Sequence, residues 1–177
     1  LKNQEKISII GAGSNTLITD ELYNGVVIKL GKNFNRISVL NEDIIISGTA
    51  VYDKNLADYA ANNGLSGFEF LACIPGTIGG GIKMNAGCFG KEIKDILISV
   101  QAVDKNGNVV TIPAKEIEFK YRNSNLPEDL IFLSASFKGL KKNPEKIKEE
   151  MLNLKIKKDK NQPTKIKTSG STFKNPI

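Results

Sequence analysis

Short apolar runs separated by glycine and asparagine open the chain. Lys6–Ile10, Val26–Leu30, Ile37–Leu40 and Ile44–Ser47 each have the length and β-branched content of a buried strand. The period then changes. From Asp53 to Asn63 the apolar positions Leu56, Ala57 and Ala60 recur at helical spacing, with Asp53 as the expected cap and Gly64 just past the end. Ile96–Asp104 and Val109–Ile112 flank Asn106-Gly107, the strongest hairpin signal in the chain. Leu130–Phe137 is a further apolar strand, and after Pro144 the positions Ile147, Met151 and Leu154 describe an amphipathic helix to about Lys158. Strands outnumber helices and are joined mainly by short turns, which predicts an α+β fold.

Length and composition narrow the class. At 177 residues and 40% hydrophobic content the chain suits one domain, or one domain with a fragment of another. No run of eighteen apolar residues occurs and the start LKNQEK lacks a secretion-type apolar stretch, so a cytoplasmic protein with no membrane partner is expected. Position 1 is Leu and the end follows directly on a motif-rich stretch, from which we expect both ends to be cut. The net charge of +6 is concentrated in Lys138–Lys167, which holds eleven lysines against Glu145, Glu149, Glu150 and Asp159. With no aromatic residue and no arginine there, this segment reads as a solvated helix face, and no nucleic-acid partner is expected.

The chain has no histidine, so any proton transfer falls to Ser, Tyr, Lys, Cys, Asp or Glu, and the Ser-His-Asp route to a hydrolase is closed. Cys73 and Cys88 have neither CxxC spacing nor a histidine to join. They read as small packed residues, and no metal site is expected.

Two glycine-rich stretches carry the chemical signal. GAGSNT, covering Gly11, Ala12, Gly13, Ser14, Asn15 and Thr16, follows a strand but lacks the third glycine of a dinucleotide fingerprint, and no helix pattern follows it. Its backbone amides, hydroxyl and side-chain amide suit a pyrophosphate; a tight turn with no ligand is the alternative. IPGTIGGGIKMNAGCFG runs from Ile74 to Gly90. Pro75 suits a first helical position, and Gly79-Gly80-Gly81 would weaken an ordinary helix by roughly 1 kcal/mol per glycine. Close approach of the backbone to a flat or phosphate-bearing ligand is the expected compensation, with a close-packed turn as the alternative. Together the stretches suggest two backbone cradles for one elongated phosphate-bearing cofactor.

Two shorter motifs follow. Tyr121-Arg122-Asn123-Ser124 contains one of only two arginines among 25 basic residues, which suits a task needing a planar fork, such as gripping a carboxylate. SGSTFKNP, Ser169 to Pro176, gathers hydroxyls, a lysine and an amide around Phe173. Outside any histidine setting its serines are poor nucleophiles, whereas a serine can give a proton to a strongly basic carbanion.

In this order GAGSNTLITD, GLSGFEFLACIPGTIGGGIKMNAGCFGKEI, YRNS and SGSTFKNP resemble the UDP-N-acetylenolpyruvoylglucosamine reductase family, in its shorter-loop subclass. The resemblance implies an FAD-binding fold of the vanillyl-alcohol-oxidase / p-cresol methylhydroxylase type. It implies residues 1–140 as an FAD-binding domain lacking its first part, 141–162 as a connecting helix and linker, and 163–177 as the beginning of a substrate-binding domain. FAD would be held without a covalent bond by Gly11 to Thr16 and by Pro75, Gly76, Thr77, Gly79, Gly80, Asn85, Ala86 and Gly87. NADPH would be the co-substrate and a UDP-sugar the substrate. Arg122 would stabilise the enolate-like intermediate, Ser171 would protonate carbon C2, and Tyr121, Lys174 and Asn175 would contact substrate. A monomer is expected. The family's C-terminal glutamate would lie beyond Ile177. Another flavin oxidoreductase of the same fold, or a catalytically silent flavin-binding fragment, is the rival reading.

Overall fold

The computed structural model describes residues 6–161. Two parallel strands, β1 (Ile7–Ile9) and β2 (Val26–Ile28), pair in register Ile7 to Val26. The main sheet follows, with β3 (Ile37–Leu40) and β4 (Ile44–Gly48) forming its first hairpin. Helix α1 (Asp53–Asn62) leads into the two-residue strand β5 (Leu65–Ser66), a 3₁₀ turn Glu69–Cys73 and the short helix α2 (Ile78–Lys83). A small hairpin, β6 (Gly87–Cys88) with β7 (Lys91–Glu92), precedes the long pair β8 (Leu97–Val103) and β9 (Val109–Pro113). Strand β10 (Ile131–Lys138), the short β11 (Leu140–Lys141) and helix α3 (Pro144–Asn161) complete the order.

The five-stranded sheet runs β3-β4-β10-β8-β9 and is antiparallel throughout. Alternation along its strands explains why. In β4, Ile45 and Ser47 are buried while Ile44 and Ile46 are only partly covered, and β8 buries Leu97, Val100 and Ala102. These side chains meet Leu56, Ala57 and Ala60 of α1, Ile78 and Ile82 of α2, and Phe68, Phe70 and Phe137 in one core. Phe68 and Phe137 meet edge to face with ring centroids 6.3 Å apart. Helix α3 docks on α1 and on the 3₁₀ turn through the buried Ile147, with Met151 packed alongside. Among the described residues, no helix is long and apolar enough to cross a membrane.

The strands and the hairpin fall where the apolar pattern places them, but three details differ. Asp53 is not the cap of α1: Tyr52 occupies that position in extended backbone, and Asp53 is the first helical residue with its side chain turned into the core. Pro75 does not start a helix either. Thr77 is the cap of α2, so Pro75 stands in the approach to it. Finally, the glycine triplet lies inside α2, and the neighbours that leave no room for side chains are the protein's own. A methyl group on Gly79 would come within 3.1 Å of Thr49 Cβ, and one on Gly81 within 3.3 Å of Asp53 Oδ1. Two amides pin this helix to the end of the main sheet, Gly79 N–H donating to Thr49 O at 2.9 Å and Ile78 N–H to Val51 O at 2.9 Å. Packing against the protein therefore compensates the helix penalty at Gly79 and Gly81. A methyl group on Gly80 would meet Thr77 Oγ1 at 3.7 Å, an ordinary contact, and Gly80 is exposed.

Candidate functional site

A cleft of about 1050 Å³ runs between the β1–β2 unit and the sheet-and-helix body. That lies at the upper end of the usual range for small-molecule sites. Both glycine stretches line it, and they touch. The place that a Cβ of Gly11 would take is filled by the Thr77 hydroxyl, so the loop after β1 can approach the cap of α2 only with glycine there.

The loop after β1 keeps its amides available. Ile10 N–H donates to Ile28 O at 2.9 Å and Thr16 N–H to Gly13 O at 3.4 Å, but the amides of residues 11 to 15 have no protein acceptor among the described residues. Gly13 turns the loop at a φ of 75°. On the facing side the amides of Gly76, Thr77 and Gly80 likewise have no protein acceptor among the described residues. Donors without protein acceptors, gathered along one cleft, suit an anion with many oxygen atoms.

Charge in the cleft agrees. Lys29, Lys32, Lys83, Lys91, Arg122 and Lys158 line it against Asp53, Glu92 and Glu128. Lys158 departs from the expectation of a solvated helix face, since it reaches from α3 to donate to the Cys73 carbonyl at 2.5 Å. Lys83 donates to Leu126 O at 2.8 Å and so ties α2 to the segment after Arg122.

Tyr121 and Arg122 form the tip of a tight turn closed by Lys120 and Asn123, whose backbones exchange hydrogen bonds at 2.8 and 3.1 Å. Arg122 is held left-handed at a φ of 54°, a conformation that costs a non-glycine residue of order 1 kcal/mol. Its guanidinium lies 5.5 Å from the Tyr121 ring centroid, and both residues line the cleft. Next to them Asn85 is buried and internally committed: its amide donates to Glu92 Oε2 at 3.0 Å, and its carbonyl oxygen accepts from Lys94 N–H at 3.2 Å. That leaves Asn85 holding the β6–β7 hairpin in shape, with Ala86 and Gly87 carried on it.

Asp53 is the residue that sequence reasoning placed wrongly and the structure makes conspicuous. It is fully buried, neither carboxyl oxygen has a hydrogen-bond partner among the described residues, and it borders the cleft under the ribbon 76–81. Burial pushes its pKa up from 3.8 to about 7. The first turn of α1 favours the anion, but by no more than about 1–2 kcal/mol, against about 4 kcal/mol for a rise of that size. Desolvation wins. Its helical spacing made it look like a cap; what the sequence did not show is that Gly76 and Gly81 have no side chains so that this carboxyl can fit beneath them.

Cys73 and Cys88 are packed as expected, Cys73 buried and Cys88 against the core, but their proximity to each other was not foreseen. The 3₁₀ turn and β6 bring the two thiols together at the cleft wall, where burial raises both pKa values and Lys158 opposes the rise. Among the described residues no group of three or more His, Cys, Asp or Glu could hold a metal.

Every site residue expected between Gly11 and Arg122 lines this one cleft, while Ser171, Lys174 and Asn175 lie outside the described residues. A family described as FAD binding domain matches residues 1–113. The chain belongs to that family. It is 71% identical over 174 residues to UDP-N-acetylenolpyruvoylglucosamine reductase of Pelagibacter ubique (strain HTCC1062), covering 98% of this chain and 58% of the relative. The crystal structure of UDP-N-acetylenolpyruvylglucosamine reductase from Thermus caldophilus superposes with a TM-score of 0.88 at 32% identity, covering 98% of this chain and 62% of that one. Quinoline 2-oxidoreductase from Pseudomonas putida 86, at 16% identity and a TM-score of 0.59 over 75% of this chain, shares the fold alone. The fold is thus the vanillyl-alcohol-oxidase type of FAD-binding fold. The chain spans about three fifths of the length of the relatives it matches.

The cleft fits FAD on its own terms. Two sets of unsatisfied amides suit the pyrophosphate, the basic lining suits its charge, and the apolar wall of Ile74, Ala86, Leu130 and Phe132 suits flat rings.

Proposed function

We propose that the protein reduces the enolpyruvyl group of UDP-N-acetylenolpyruvoylglucosamine with NADPH, giving UDP-N-acetylmuramate for peptidoglycan synthesis, as a cytoplasmic FAD enzyme acting as a monomer. The observation that carries this reading is the 71% identity to a reductase of that name over nearly the whole chain, with Arg122 among the residues that line the cleft. Bound FAD supplies the hydride chemistry. The chain's own residues do the rest: the amides of Gly11 to Asn15 and of Gly76, Thr77 and Gly80 hold the pyrophosphate, and Pro75 and Gly79 shape the wall beside it. Asn85, Ala86 and Gly87 fix the far wall. Arg122 offers its fork to the substrate carboxylate, where negative charge accumulates as the vinyl carbon is reduced. Its left-handed backbone aims the side chain from a rigid two-residue tip. Tyr121 flanks the substrate, joined by Lys174 and Asn175.

Ser171 gives its proton to carbon C2. A hydroxyl is a weak acid, yet a carbanion-like centre is basic enough to take its proton, and these 177 residues hold no histidine to do so. We assign residues 1–140 to the FAD-binding domain, 141–162 to a connection and 163–177 to the start of a substrate domain. Replacing Ser171 with Ala tests the assignment: reduction of bound flavin by NADPH should stay within about threefold of wild type while product formation falls by about 10³-fold or more. Equal loss of both half-reactions would refute the role of Ser171, and absence of NADPH oxidation stimulated by the enolpyruvyl sugar would refute the function.

A further inference from the structure

A carboxyl group with no partner in a protein core is costly whichever way it is protonated, because the neutral form leaves a donor and an acceptor unpaired and the ionised form leaves a charge unpaired. Asp53 is such a group. Its backbone N–H donates to Gly76 O at 3.1 Å, so the residue is sewn directly to the ribbon whose amides face the cleft. Oδ2 sits where a methyl group on Gly76 would come within 2.6 Å, and Oδ1 where one on Gly81 would come within 3.3 Å. The ribbon therefore rests on the carboxyl. Among the described residues no opposite charge compensates it. Lys54 and Asp58 of α1 are exposed, Lys83 of α2 is engaged with Leu126 O, and Lys94, beyond β7, is paired with Glu92 at 2.6 Å.

We propose that Asp53 is a positioning residue of the cofactor site, supporting the ribbon 76–81 as the neutral acid and opposing the bound pyrophosphate as the carboxylate, so that cofactor binding takes up a proton at Asp53. The proposal rests on the FAD reading of the cleft. Its sign follows from charge: a phosphate anion nearby makes ionisation of Asp53 harder, raises its proton affinity further, and is itself bound more weakly once Asp53 has lost its proton. Burial already holds the group at about 7, and the chain has no histidine to titrate in the same range. A pyrophosphate diester keeps its charge constant from pH 6 to 8.5, so any change over that interval comes from the protein.

The test is a fluorescence titration of the apoprotein with FAD from pH 6 to 8.5, with calorimetry in two buffers of different ionisation heat to count protons. Wild type should bind FAD on the order of tenfold more weakly at pH 8.5 than at pH 6 and take up part of a proton near pH 7.5. Asp53→Asn should show neither effect, and Asp53→Ser serves if the amide variant does not fold. Riboflavin, which lacks the pyrophosphate, should bind wild type with little pH dependence. Flat FAD affinity with no proton uptake overturns the proposal while leaving FAD binding intact, as does an equal pH dependence for riboflavin. Failure to bind FAD at any pH overturns both this proposal and the cofactor reading beneath it.

Discussion

A single buried carboxyl gives the sharpest stability prediction. Asp53 has a pKa near 7 when folded and 3.8 as the unperturbed value, so the folded state keeps its proton longer than the unfolded chain does. The Asp53 contribution to stability is therefore fully present below about pH 4 and is lost as pH rises through about 7, by up to about 4 kcal/mol. Asparagine cannot ionise. Asp53→Asn should be nearly neutral at pH 5 and more stable than wild type by about 1–3 kcal/mol at pH 8, allowing for the unpaired amide it leaves behind. Urea unfolding at the two pH values measures this, and parallel pH profiles for the two proteins would contradict it. The sequence announced an acidic residue at the start of a helix, which is ordinarily a solvated cap. Nothing local to Asp53 distinguishes a cap from a buried first-turn residue; the distinguishing partners, Gly76 and Gly81, are more than twenty residues away. The place of Arg122 on the cleft was legible for the opposite reason, because its rarity among the basic residues is a property of composition and needs no contact map.

Elements were readable where period and burial coincide. Strands β4, β8 and β10 and helix α1 bury one face, and β3, β9 and α3 turn partly covered apolar residues to the same core, so their apolar spacing reports their geometry. Helix α2 was not readable, since a six-residue segment with three glycines looks like a loop by propensity, and tertiary contact with Thr49 and Asp53 overrides that preference. Coupling between the two elements can be measured. Gly76→Ala places a methyl group 2.6 Å from Asp53 Oδ2 and should destabilise wild type by about 1–3 kcal/mol. In an Asp53→Ala background the same change should cost at least about 1 kcal/mol less, because the obstructing oxygen is gone. Strict additivity in the double-mutant cycle would show that the ribbon does not rest on this side chain.

At the scale of the whole molecule, the β1–β2 unit packs chiefly on itself among the described residues. It is a two-stranded parallel pair with exposed apolar residues, including Ile7, Ile9 and Val27, and its link to the body runs through the cleft. A ligand spanning both walls should tighten it. With FAD at about a hundred times its dissociation constant the fold should gain about 2.7 kcal/mol, raising Tm by roughly 5–10 °C for a chain of this size. Differential scanning fluorimetry with riboflavin as control reads the shift; an equal rise with riboflavin would show that the pyrophosphate adds nothing. The cleft's existence was foreseeable from two glycine stretches. The share of Lys158 in its wall was not, because that side chain comes from a helix whose lysine content reads as solvent-facing. The interlock of Gly11 with the Thr77 hydroxyl has an evolutionary and practical corollary. Since one segment fills the vacancy the other leaves, neither can drift or be transplanted alone, and chimaeras with distant flavoproteins will hold together only when both segments come from the same parent.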